Sequence, residues 1–278
     1  MKIYKTSSGI LIHHEGQYYS NSSTDWDTLI NQADLYRILE NSLSQWEKEE
    51  AGEQLINNEL LPPIGQQEVW ASGVTYYRSR DARMEESKEA GGGSFYDRVY
   101  EAERPELFFK ATAARVVGHN QKVRIRKDSA WDVPEPELTL LIASTGDIIG
   151  YTVGNDMSSR SIEGENPLYL PQAKSYDKSA ALGPGILVSS DPLPPHTTIA
   201  LRIERSGAVV FEEETSIDQI KRSMEELVTF LYRECSFPYG CFLMTGTGII
   251  PGNDFTLQQG DVIHIEIDGV GELINTVE

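Results

Sequence analysis

From Glu68 to the end, Gly, Pro and Asp cut the chain into short runs of β-branched, aliphatic and aromatic residues, and no other feature narrows the possible folds as much. Runs of four to eight such residues between turn formers suit strands, because alternating side chains can pack both faces of a pleated ribbon. The candidate strands are 69–71, 123–125, 138–143, 148–155, 185–189, 198–204, 208–213 and 262–267. Helical spacing is rarer. Residues 216–232 place Ile217, Ile220, Met224, Leu227, Val228 and Leu231 on one stripe, with Ser216 or Asp218 able to cap the start. Residues 77–89 also have a helical pattern but are rich in Arg and Glu and end at Gly91-Gly92-Gly93, a composition that suits a movable cover or a plain surface loop.

The first 64 residues have a different pattern. Short strand-like runs near 3–4, 10–13 and 18–19 precede helical patterns at 27–30 and 35–43, and the polar stretch 42–50 resembles a solvated helical end. Leu61-Pro62-Pro63-Ile64-Gly65 then interrupts any regular element, since each proline fixes its backbone and removes a donor. The expected organisation is a small α/β unit over 1–64 and a larger sheet-rich catalytic unit over 65–278, an α+β chain overall.

Charge limits the partners. A formal net charge of -19 over 278 residues opposes nucleic acid and anionic membrane surfaces, both of which need concentrated Lys and Arg. A small anionic ligand could bind only where a metal or local basic residues reverse the field. No run approaches the roughly 20 apolar residues of a membrane helix, and the start lacks an apolar signal segment, so the cytoplasm is expected. The two cysteines, Cys235 and Cys241, are expected to be reduced core residues.

Glu135-Pro136-Glu137 opens directly into the run Leu138-Thr139-Leu140-Leu141-Ile142. In a strand, residues two apart point to the same side, so both carboxylates meet in one place, where a cation between them would relieve their repulsion. Gly150-Tyr151-Thr152-Val153-Gly154-Asn155-Asp156 is another strand run ending in a carboxylate. Pairing the two runs would give a three-oxygen site for a hard divalent ion.

In order along the chain, several segments resemble the fumarylacetoacetate hydrolase family. They are Pro105-Glu106-Leu107-Phe108-Phe109-Lys110, Glu135-Pro136-Glu137-Leu138, the segment Gly150 to Arg160, Ala173-Lys174-Ser175-Tyr176-Asp177, Leu182-Gly183-Pro184, Thr245-Gly246-Thr247-Gly248 and Gly260-Asp261. The resemblance implies a fumarylacetoacetase C-terminal-type β-roll or β-sandwich, assembly as a homodimer or homotetramer, and Mg²⁺, or another divalent ion such as Mn²⁺ or Ca²⁺, on Glu135, Glu137 and Asp156. It also implies a 2-oxo acid substrate. Hydrolases of the family carry a His and a Glu that activate water, whereas here Ser79 and Ala82 occupy those places. Neither can serve as that base.

Residues 70–87 are similar instead to the branch of the family that acts on sugar acids. That similarity implies loss of water from a 2-keto-3-deoxy pentonate to give 2,5-dioxopentanoate by way of a metal-held enolate. It makes Lys174 and Glu106 the proton-transfer pair, with Lys174 the base and Glu106 the acid, or the reverse. Thr247 and Gly246 are candidates to meet the substrate carboxylate, and Arg78, Ser79 and Arg80 to meet its hydroxyls. Arg160 and Asp177 are candidates to support the site from behind. The alternatives are acylpyruvate hydrolysis, oxaloacetate decarboxylation, or a member that binds a 2-oxo acid without turning it over.

Overall fold

The structure, a computed structural model, describes residues 1–76, 78 and 98–278. The expected helix over 77–89, the glycine triplet, Ser79 and Arg80 fall outside these residues, apart from Arg78.

Two sheets dominate. Among the described residues the larger has eleven strands, ten of them in the order Glu47–Lys48, Gln17–Asn21, Gly9–His14, Lys2–Thr6, Ala180–Leu187, Ile148–Asp156, Pro136–Ile142, Cys241–Met244, Glu68–Gly73 and Glu106–Thr112, while Val116–Val117 pairs beside Ala180–Leu187. The smaller runs Ala208–Ser216, Thr198–Arg205, Val262–Ile267, Gly271–Val277 and Lys122–Val123. Alternation along the central strand explains the layering. Leu138, Leu140 and Ile142 enter one apolar cluster with Ile199, Leu201, Ile203, Ile263 and Ile265 of the smaller sheet. Leu141, on the opposite face, enters a second cluster with Ile3, Ile12, Trp26, Leu35 and Leu39.

The chain passes the expected boundary near residue 64 without a break in the sheet. Strand Lys2–Thr6 adds to Ala180–Leu187 through Lys2↔Leu187 and Ile3↔Ile186. The helices Trp26–Leu29 and Leu35–Ser42 pack their buried faces in the second cluster, beside Leu141 and Ile186.

Several elements depart from the sequence-based expectation. The stripe at 216–232 is divided: strand Ala208–Ser216 runs through its start, a 3-10 turn covers Ile217–Gln219, and the helix is only Met224–Tyr232, capped by Ser223 accepting from the Glu226 N–H. Ile217 reaches the core from a turn, so its spacing mimics a helix. The polar stretch 42–50 ends in the edge strand Glu47–Lys48 rather than a frayed helix, and the strand expected at 185–189 is Ala180–Leu187. Cys241 is buried but Cys235 is exposed. Among the described residues, no helix is long and apolar enough to cross a membrane.

Candidate metal centre and active site

The site begins with a register. Pro136–Ile142 and Ile148–Asp156 are antiparallel with Pro136↔Asn155 and Glu137↔Gly154, and one step beyond, Glu135 and Asp156 exchange both backbone hydrogen bonds. Pro136 therefore occupies a non-hydrogen-bonded position toward that neighbour. The strand on its other side, Cys241–Met244, pairs only Thr139 to Ile142, so the missing N–H of Pro136 breaks no ladder bond. Glu135 and Glu137 share a face, and Asp156 stands opposite Glu135 on that same face. Oxygens of all three come within 4.8 Å of one another, and none of the three residues is more than 5% exposed.

Among the described residues, three cations surround this charge. Lys174 Nζ donates to Glu135 Oε2 and Asp156 Oδ2, both at 2.9 Å, and to Ser158 Oγ at 2.6 Å. Lys110 Nζ lies 2.6 Å from Asp156 Oδ1 and donates to the carbonyls of Met157 and Lys174. Arg160 is 2.9 Å from Glu135 Oε1. Short helices hold these groups. Ser159 caps Arg160–Glu165, whose first residue is Arg160, and Leu170–Lys174 ends in Lys174.

The donor set suits a hard divalent cation: three buried carboxylates converge, and a lysine ammonium already lies between two of them. Glu137 supplies a further sign of fit. Burial, followed by the nearby Asp156 and Glu135 charges, pushes its carboxyl well above the usual range, a cost that a cation would offset. The Gly246 N–H donates to Glu137 Oε2 at 2.5 Å and aims that oxygen.

The remaining candidates divide. Thr247, Gly246, Gly73, Ser72 and Phe108 line a cleft over Glu135, Asp156 and Lys174. Thr247 Oγ1 is engaged in its own turn, accepting from the Ile249 N–H at 3.1 Å. Glu106 begins strand Glu106–Thr112 opposite Gly73, and a Cβ on Gly73 would fall 2.1 Å from Glu106 Oε2, so the missing side chain makes room for this carboxylate. Two candidates are not brought to the centre. Asp177 is 75% exposed and lies 3.6 Å from Arg124, because the chain turns outward after Lys174. Arg78 pairs with Glu213 on the smaller sheet. Sequence reasoning gave no role to Glu163 or Ser158 and named Lys110 only within a segment that resembles the family. Helix Arg160–Glu165 follows the Asp156 motif directly, and the i, i+3 pair Arg160 and Glu163 on it was the available signal.

Residues 75–278 match the family described as Fumarylacetoacetate (FAA) hydrolase C-terminal, and the chain belongs to the fumarylacetoacetate hydrolase family. It is 45% identical over 223 residues to a probable 2-keto-3-deoxyxylonate dehydratase of Haloferax volcanii, covering 80% of this chain and 76% of that protein. It is 42% identical over 221 residues to a 2-dehydro-3-deoxy-D-arabinonate dehydratase of Saccharolobus solfataricus, covering 79% and 74%. Among solved structures, a 2-keto-3-deoxy-D-arabinonate dehydratase complexed with magnesium and 2,5-dioxopentanoate superposes with a TM-score of 0.86 at 34% identity, covering 100% of this chain and 99% of that one.

Proposed function

We propose that this chain is a magnesium-dependent hydro-lyase that converts a 2-keto-3-deoxy pentonate to 2,5-dioxopentanoate. One observation carries the reading: Glu135, Glu137 and Asp156 converge, buried, beside Lys174. The relatives named above support it. Within one stereochemical series, arabinonate and xylonate differ only at C2 and C3, centres that the keto group and deoxygenation erase. The two relatives' names thus point to one skeleton, with C4 its remaining stereocentre.

Glu135, Glu137 and Asp156 would hold the ion, which when bound polarises the keto group and acidifies the C3 protons. Lys174 Nζ takes a C3 proton, and Glu106 delivers a proton to the C4 hydroxyl as it leaves, so C3–H and C4–OH depart as water. A C3–C4 double bond remains. Moving a C5 proton to C3 and ketonising the resulting C4–C5 enol completes the aldehyde, with no external oxidant or reductant. Arg160, itself part of the cleft lining, holds Glu135 in place, and Lys110 holds Asp156 from behind. The Phe108 ring, 5.6 Å from Lys174 Nζ, keeps water from one side of the base. Gly246 orients Glu137, and Thr247 forms a wall of the cleft. Assembly as a homodimer or homotetramer belongs to the same proposal, and light scattering tests it.

The test is product analysis by mass spectrometry after incubation with Mg²⁺ and a panel of D and L 3-deoxy-2-keto sugar acids. Loss of 18 mass units with aldehyde formation from a pentonate is expected. Pyruvate release, or turnover indifferent to a chelator, would reject the assignment.

A further inference from the structure

Among the described residues, three carboxylates lie within 3.4 Å of Lys174 Nζ, and only two of them belong to the cation set. Glu163 Oε1 lies 3.4 Å from Lys174 Nζ, and Glu163 Oε2 lies 3.7 Å from Arg160. The side chain is buried and projects from the helix Arg160–Glu165, whose start Ser159 fixes by capping. An acid buried at this depth is retained at a high desolvation cost unless charged partners use it.

Lys174 shares its other carboxylate partners with the cation. Its ammonium rests on Glu135 Oε2 and Asp156 Oδ2, the residues that would hold a divalent ion. An ammonium and a dication drawing on the same oxygens repel strongly in a buried site. Once those oxygens serve the cation, Glu163 is, among the described residues, the remaining carboxylate at Lys174 Nζ, with the neutral Ser158 hydroxyl beside it.

We infer that Glu163 is a positioning residue: it is the carboxylate that anchors Lys174 Nζ once Glu135 and Asp156 serve a bound divalent cation. The inference rests on the cation site proposed above and assigns a fourth acid to it, one that acts through Lys174 rather than as a ligand. Glu163 then holds Nζ over the cleft, clear of the oxygens the cation uses.

The test is Mg²⁺ binding by titration calorimetry, with folding checked by circular dichroism. Glu163→Gln is expected to bind Mg²⁺ about tenfold more weakly than the unaltered protein, as losses of supporting partners typically do. Glu163→Asp, which keeps the charge, is expected to recover most of that affinity. Lys174→Met removes the ammonium, so adding Glu163→Gln in that background is expected to leave affinity unchanged. Equal affinity of Glu163→Gln and the unaltered protein, or an undiminished loss in the Lys174→Met background, would overturn the inference. An unaltered protein that takes up no Mg²⁺ would instead overturn the cation site itself.

Discussion

Glu135 and Asp156 face each other across two antiparallel strand ends and exchange both backbone hydrogen bonds, Glu135 N–H to Asp156 O at 3.2 Å and Asp156 N–H to Glu135 O at 2.9 Å. Like charges directly opposite destabilise a sheet. The pair persists because Lys174, Lys110 and Arg160 bring positive charge to it from three other segments. Main-chain register sets the distance between these two ligands, and Glu137, two residues along, completes the trio.

Binding of Mg²⁺ should therefore stabilise the fold. A cation at about 100 times its dissociation constant adds about 2.7 kcal/mol, which for a chain of this size raises the melting temperature by roughly 5 to 10 °C. Thermal melts with and without Mg²⁺ measure this. Asp156→Asn should abolish both the shift and the catalytic activity.

Lys110 is buried, and burial holds its ammonium below the usual lysine range while Asp156 pushes the other way. It answers Asp156 and two carbonyls at once. Lys110→Met would leave Asp156 its contact with Lys174 but take the donor from two buried carbonyls, and should cost about 1 to 3 kcal/mol in urea denaturation. Lys110→Arg should not restore it, since a planar fork cannot replace a compact charge among three close acceptors.

Gly246 has a φ of 94°, and a Cβ there would lie 2.0 Å from Thr75 Oγ1 and 3.0 Å from the Ser72 carbonyl. Gly246→Ala should destabilise the protein by more than about 1 kcal/mol and weaken Mg²⁺ binding, because the N–H that aims Glu137 moves. Adding Thr75→Ala should recover only part of the loss, since the backbone strain remains. Denaturation and titration calorimetry read the two effects.

Gly73→Ala separates Glu106 from the rest of the site. The new methyl would meet only the far end of the Glu106 side chain, at 2.1 Å, so the carboxylate is pushed aside while the strand survives. We expect kcat to fall by about 100-fold or more, in the range for losing a general acid, with little change in melting temperature. Steady-state kinetics that match the unaltered enzyme would remove Glu106 from the proton-transfer pair.

Burial pushes Asp132 up to about 6 from 3.8. Its contribution to stability is fully present below about pH 3.8 and is lost as the pH rises through about 6, because the folded state holds this proton more tightly. The difference in stability between Asp132→Asn and the unaltered protein should grow in favour of the variant between these pH values and stay level above them. Urea denaturation at a series of pH values measures that difference.

Glu135 and Glu137 were legible as neighbours because a period of two leaves little freedom: two acids flanking one proline, ahead of an apolar strand, must share a side, while Asp156 depended on pairing two strand runs and on the family resemblance. The family resemblance, rather than the spacing, brought in Lys174 and Glu106. Glu163 stayed hidden because a polar residue on a short helix looks solvated until the helix is seen to turn it inward against Lys174. The stripe at 216–232 misled because Ile217 and Ile220 reach inward from a turn, and helical spacing does not require a helix. The pairing of Ile3 with Ile186 joins residues far apart in the chain, and local pattern carries no trace of it.

The tie between Glu135 and Asp156 bears on how damage would show itself. A slip of one residue in that strand pairing would turn Glu137 away from the centre and, in the same movement, swing Leu138 and Leu140 out of the apolar layer. Misalignment that spoils the catalytic centre thus also spoils the core, and such molecules would be cleared as unfolded instead of persisting as well-folded, inactive copies.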